Sequence, residues 1–275
     1  MSDLQVRQEP LRIVPTAVAT RPWRALGGKA SLHLVERHAR VYRHLWLMLA
    51  SGIAEPLFYL LSIGVGLGRL VPTVGGVSYA AYVAPALLAT SAMNGAIYDS
   101  TFNVFFLIKY AKTYDAALAT PMRAQDLALG QVLWALIRSA IYALAFTVVM
   151  LAMGLFQSYW AIAVLPAAVL TGFAFSAAGM AATTFMRSWQ DFEFVTLVSV
   201  PLFLFSATFF PLSVYPPAIA VVVRCTPLYQ AVALMRGLAL GAVGPGLLWH
   251  VAYLAIMGLA GLYIAGRRVE RLLLT

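Results

Sequence analysis

Three ionisable residues stand where so apolar a chain has least reason to keep them: Glu55, Asp99 and Arg138. Each lies inside a long apolar run. Glu55 is ten residues past Leu45, Asp99 ten before Lys109, and Arg138 eleven past Leu127. At ~1.5 Å per helical residue, each sits about 15–17 Å from the inner end of its run, near the middle of a bilayer. Charges at that depth face a bundle interior or a pathway. Two chemistries follow. Arg138 pairs with Glu55 or Asp99 to hold helices together, or the three line a substrate path to which Asn94 and Asn103 add polarity. A proton- or ion-coupled transporter or channel working through Glu55 and Asp99 is an alternative built on the same residues.

Other chemistries find no support. His33, His38 and His44 fall together on one helix and His250 stands alone, without the H-E-x-x-H spacing of a zinc site. No G-x-S motif accompanies His250, so an intramembrane serine protease is disfavoured and no catalytic or metal residue is assigned. "GVGLG" (64–68) lacks the strand–helix context of a dinucleotide site and reads as close helix packing. "GGK" (27–29) is no P-loop, because Trp23 replaces the first glycine and Ala30 the Ser or Thr. Cys225 is the only cysteine, so no internal disulfide forms.

The elements that position these residues follow from composition. The chain is 62% hydrophobic and 11% charged, against about 45–50% and 25% for soluble domains. With long apolar runs and no strict alternation, it reads as an all-α integral membrane protein. Six spans are expected: Leu45–Gly68, Tyr79–Ile108, Leu127–Met153, Trp160–Phe185, Phe192–Phe210 and Leu247–Ala265. Pro211–Gly246, broken by five prolines and four glycines, reads as two short helices that dip into the membrane and return. No internal repeat and no cleaved signal are visible. Residues 1–28 read as a flexible cytoplasmic tail, 29–268 as the transmembrane domain and 269–275 as a second cytoplasmic tail.

Lys and Arg set the orientation. With the N-terminus inside, fifteen lie on inner segments and three, Arg69, Arg224 and Arg236, on outer ones. Both termini are therefore expected in the cytoplasm. The net charge of +9 reads as topology and lipid contact, with Arg224 and Arg236 placed to touch lipid phosphates. On a helical wheel of residues 29–46, Lys29, His33, Glu36, Arg37, Arg40, Arg43 and His44 fall within about 120°. Leu32, Leu34, Val35, Ala39, Val41, Tyr42, Leu45 and Trp46 occupy the rest. This basic amphipathic helix is expected to lie on the inner leaflet.

"YDAALATPMRAQD" (114–126) is a polar island between two apolar runs. Thr120 can cap a helix that Pro121 begins, with Asp126 in the turn or so that follows, and Ala116 to Ala119 favour a helix before it. A rigid cytoplasmic elbow of this kind suits docking to another protein. An ordinary polar loop is the alternative.

Several stretches taken in order carry a resemblance: "EPLFYLLSIGVGLG" (55–68), "YVAPALLATSAMNGAIYDSTF" (82–102), "YDAALATPMRAQDLALGQVLWA" (114–135), "LFSATFFPLSVYPP" (204–217) and "PLYQAVALMRGL" (227–238). Together they resemble the type-2 ABC transporter (ABC-2 type) permeases, closest to those of rhizobial nodulation-factor export and daunorubicin resistance. The likeness covers about residues 33–268. It implies that Tyr114, Asp115, Leu118, Ala119, Thr120, Pro121, Arg123 and Asp126 form the coupling helix that seats in an ATP-binding subunit. Arg187–Glu193 is implied as a second, weaker contact. Residues 29–46 match the family's interfacial helix and Pro211–Gly246 its re-entrant pair.

The implied mechanism is ATP-driven export of an amphipathic compound: drug-like, lipo-oligosaccharide or glycolipid. The chain itself binds no cofactor; ATP and Mg sit on two partner subunits. A second permease chain, alike or different, completes the path, which the first, second and fifth spans line. The implied site is the bacterial plasma membrane.

Overall fold

The computed structural model describes residues 30–42, 54, 57–71, 73–110 and 124–274. Glu55, Tyr114, Asp115, Leu118, Ala119, Thr120, Pro121 and Arg123 lie outside the described residues. Helix α1 is Ala30–Tyr42. Helix α2, Leu57–Arg69, is π-wound over Leu60–Gly66. A two-stranded hairpin pairs β1 (Thr73–Val74) with β2 (Val77–Ser78). Its turn residues Gly75 and Gly76 have φ of 63° and 87°, both in the region that only glycine enters without strain, as a primed two-residue turn requires. Ser78 then caps α3 (Tyr79–Tyr98), its hydroxyl accepting from the Ala81 amide at 3.3 Å.

A π-wound turn, Asp99–Asn103, joins α3 to α4 (Val104–Lys109). Helices α5 (Ala124–Ala152), α6 (Val164–Thr183) and α7 (Phe192–Leu204) follow. Helices α8 (Pro217–Cys225) and α9 (Pro227–Leu240) meet at an 85° bend, and α10 (Gly246–Leu274) closes the chain. Thr226 makes the bend sharp. Its hydroxyl accepts from the Tyr229 amide while Pro227 opens α9, whose end is Gly241 in the left-handed region.

Among the described residues, four helices are long and apolar enough to cross a membrane: Tyr79–Leu107, Gln125–Ala152, Tyr159–Thr183 and Gly246–Arg271. The segments expected as first and fifth spans are not among them. α2 is too short by itself over its described residues. α7 stops at Leu204 rather than Phe210, because the backbone turns at Phe205 and Ala207 takes a φ of 57°. The last helix is longer than expected and carries Arg267, Arg268 and Glu270 within it.

Helix α6 is the centre, packed against α3, α5 and α10. Its run of Ala, Gly, Ser and Thr lets neighbours approach at backbone distance. At Gly261 of α10, a Cβ would lie 2.7 Å from the Ala177 carbonyl carbon and 2.8 Å from the Ala178 nitrogen, both backbone atoms that cannot move aside. Gly261→Leu is therefore expected to destabilise the bundle by about 1–3 kcal/mol, read as a lower melting temperature in detergent. Gly66→Ala, whose new Cβ meets nothing within 4 Å, is the control that leaves it unchanged.

Helix α1 lies against α5 through Ser31, Leu34 and His38, the residues it buries. Gly130 of α5 makes room: a Cβ there would lie 2.8 Å from the Ser31 carbonyl oxygen and 3.0 Å from Leu34. Glu36, Arg37 and Arg40 point away and stay exposed, as do Leu32 and Val41.

Candidate functional site

Asp99 opens the π turn, and its side chain is fully enclosed. Its Oδ1 meets Arg138 Nη1 of α5 at 2.7 Å and accepts from Asn103 Nδ2 at 2.7 Å. Oδ2 is buried with no hydrogen-bond partner among the described residues. The spacing that set Asp99 and Arg138 at one depth thus becomes a direct ion pair, flanked by the Asn103 amide. Arg138 also lies over the Tyr142 ring, 5.4 Å from its centroid.

The π turn needs help from neighbouring helices, because its wider, underwound backbone takes carbonyls out of the i→i−4 ladder. Gln131 of α5 donates to the Asp99 carbonyl at 3.4 Å, and Thr183 of α6 donates to the Ser100 carbonyl at 2.9 Å. Gln131 also bonds His38 Nε2 of α1 at 3.1 Å, and His38 stacks on Trp134 at 5.6 Å. One side chain therefore links α1 to the backbone of the charged turn. Gln131, the polar residue inside "LALGQVLWA", is the sequence signal for this link and is not among the candidate site residues above.

Burial, reinforced by the nearby Arg37 charge and only partly opposed by the Gln131 bond, lowers the His38 pKa from 6.5 to about 4. The ring is neutral at physiological pH and must stay so to remain in place. A depressed folded value means that the contribution is complete above pH 6.5 and is lost as pH falls toward 4. The protection of α1 amides from hydrogen exchange, taken relative to the intrinsic rate at each pH, is expected to fall across that window in the wild type and to stay flat in His38→Gln.

On the α1 side of the pair, Phe102, Phe105, Tyr110, Trp189 and Phe192 form one aromatic cluster, with Phe102 and Phe192 stacked at 4.2 Å. It fastens the α3–α4 helix to the turn before α7. Asp191 builds that turn, accepting from the Arg187 amide at 2.6 Å and the Ser188 amide at 3.2 Å. Those two backbone bonds hold its carboxyl below the usual value. The Arg187–Glu193 segment is thus an ordered, capped corner. Of the candidate coupling residues in the island, Asp126 is described: it is buried in the first turn of α5.

A cavity of about 600 Å³ opens beside the ion pair, between α2, α3, α5 and α7. Tyr59, Tyr98, Phe102, Tyr142 and Phe203 give it aromatic walls; Ser91, Asn94 and Ser199 give it polar points, and Arg138 reaches it from α5. Thr90 and Thr196 also line it, but their hydroxyls donate back to Ala86 and Phe192 carbonyls of their own helices. The mixture suits a molecule with both polar and apolar faces. Among the described residues no group of His, Cys, Asp and Glu is arranged to hold a metal ion.

The sequence profile described as ABC-2 type transporter matches residues 31–240, from α1 through α9. The chain belongs to the ABC-2 type transporter family. This ABC-2 permease is 34% identical over 227 residues to Nodulation protein J of Rhizobium leguminosarum bv. trifolii, covering 82% of this chain and 87% of the relative. It is 32% identical over 193 residues to Nodulation protein J of Rhizobium meliloti (strain 1021), covering 70% and 74%. The inner membrane transport permease YadH of Escherichia coli (strain K12) is 25% identical over 178 residues, covering 64% and 69%. The permease is thus a membrane transport protein, and its ion pair and cavity lie within the family-matched region.

Proposed function

We propose that this permease is the transmembrane subunit of an ATP-driven exporter that moves an amphipathic substrate, drug-like, lipo-oligosaccharide or glycolipid, out of the cytoplasm or inner leaflet of a bacterial inner membrane. The observation that carries the reading is the cavity between α2, α3, α5 and α7, whose aromatic walls and scattered hydroxyls suit such a substrate. It adjoins α7, which leaves Phe194, Leu197 and Val198 exposed. A second permease chain, identical or different, closes that side, so the path forms between two permease chains. Two ATP-binding subunits carry ATP and Mg and drive it. Residues 114–126 are their principal docking elbow and the Asp191-capped corner a lesser one.

In this reading the chain crosses six times, α2 belonging to the first crossing and α7 to the fifth. Helices α8 and α9 enter and leave from the outer side, and α1 lies on the inner leaflet with Leu32 and Val41 toward lipid. Both termini are cytoplasmic. Support comes from charge: Lys109, Arg187, Arg267 and Arg268 accompany the α1 end, while Arg69, Arg224 and Arg236 belong to segments at the hairpin end. The Asp99–Arg138 pair is read as structural, since a carboxylate held by a cation at 2.7 Å is poorly placed to carry protons.

Affinity capture from native membranes with mass spectrometry tests this. A stoichiometric subunit carrying a P-loop is the expected companion. Capture of the chain alone, under conditions that hold ABC complexes together, would refute the reading; transport would then be sought as a function of a proton gradient with Glu55→Gln and Asp99→Asn variants.

A further inference from the structure

At the hairpin end of the bundle, α9 carries Arg236 into a second cavity of about 540 Å³, lined also by Tyr82, Leu212, Tyr229, Leu240 and His250. Arg236 Nε donates to the Tyr82 carbonyl at 3.1 Å. Its Nη2 donates to the carbonyls of Ala207 at 2.9 Å and Thr208 at 3.3 Å. The guanidinium lies over the Tyr82 ring, 3.8 Å from its centroid. All of these partners are neutral. No Asp or Glu among the described residues lies within ion-pair distance of Arg236.

A guanidinium has five N–H donors, and the backbone bonds use only those on Nε and Nη2. Nη1 makes no hydrogen bond among the described residues and is not sealed from the cavity. Three neutral carbonyls would be served equally well by a neutral donor. A cation here instead carries a desolvation cost that no carboxylate among the described residues offsets. The arrangement is a fixed positive edge presented to an open, partly aromatic space, and its natural complement is an oxyanion.

We propose that this cavity binds a phosphate headgroup, with the phosphate oxygens on Arg236 Nη1 and any attached chain against Leu212 and Leu240. The volume exceeds that of a bare ion, which fits a headgroup with the start of its chain. The proposal does not require that the chain work as an exporter, and binding is read without ATP or a partner.

Purified full-length chain in neutral detergent is titrated with phosphatidylglycerol or diacylglycerol, and bound lipid is counted by native mass spectrometry. Phosphatidylglycerol is expected to bind and diacylglycerol not. Ala233→Phe fills the cavity from its lining while leaving Arg236 and its backbone bonds in place. Arg236→Gln removes the charge. Each is expected to weaken phosphatidylglycerol binding by about tenfold or more, the loss expected for one charge-assisted bond. Arg69→Gln, exposed at the end of α2 and outside the lining of this cavity, is expected to leave it unchanged. Competition by inorganic phosphate assigns the site to free phosphate; resistance to it assigns the site to a lipid. If folded Ala233→Phe binds phosphatidylglycerol as the wild type does, or if diacylglycerol binds equally well, the proposal is overturned. Ala233→Phe decides the matter even if Arg236→Gln fails to fold.

Discussion

Arg138→Met is expected to lose most of its folded protein, and adding Asp99→Asn to the same chain is expected to restore it. The Asp99 carboxylate is wholly enclosed, and the Arg138 guanidinium 2.7 Å away is the cation that holds it. Removing one partner of a buried pair costs about 3–5 kcal/mol, because the other charge is left without compensation. That is a large part of the 5–15 kcal/mol typical of a folded domain. Neutralising both sites removes the penalty together with the attraction, so the double variant sits close to the wild type.

The two single variants are not equivalent. Arg138 lines the 600 Å³ cavity and can be hydrated there, whereas Asp99 cannot reach it. Asp99→Asn alone is therefore expected to be the milder change. Size-exclusion yield and denaturation midpoints of the four proteins measure the cycle. A double variant as unstable as Arg138→Met would mean that Arg138 acts through something other than Asp99.

The second large effect is on coupling. On the docking role proposed for residues 114–126, Leu118→Asp is expected to leave insertion and folding intact while weakening the hold of the ATP-binding subunit about thirtyfold, the loss that follows when a central interface contact worth about 2 kcal/mol is removed. Transport then falls even where the partner still hydrolyses ATP. Pro121→Gly is expected to act in the same direction more weakly, by loosening the elbow rather than removing a contact. Reconstitution with the partner, reading ATP hydrolysis and substrate movement separately, tests both. Normal transport by Leu118→Asp would remove the docking role from residues 114–126.

Much of the bundle was legible in the chain. The expected second, third, fourth and sixth spans overlap the four helices long enough to cross a membrane, since apolar length is a property of the sequence alone. The first and fifth were harder. The turn at Phe205–Phe209, tied by the Ser206–Thr208 hydroxyl bond at 2.7 Å, ends α7 inside a run that is mostly apolar. Hydropathy does not register a break made of Phe, Ser, Ala and Thr. Two short helices were expected within Pro211–Gly246 from its prolines and glycines; α8 and α9 are such helices, and the 85° angle between them is set where Pro227 opens α9.

The site divides in the same way. Residue spacing put Asp99 and Arg138 at one depth, because a helix converts residue count into height. It left open whether Arg138 met Asp99 or Glu55, since height carries no information about which helices are neighbours or how each is rotated. The small residues of α6 decide the packing, and the π turn decides the direction of Asp99. The helical wheel likewise gathered the charges of α1 on one arc. It did not show that His38 faces inward, because that depends on Gln131, Trp134 and the gap at Gly130, ninety residues away on another helix. Sequence alone fixed what each segment can tolerate: lipid, water or a turn. Tertiary structure alone decided which polar groups meet, because a buried polar group is settled only by its partner, and here the partners lie far off in the chain.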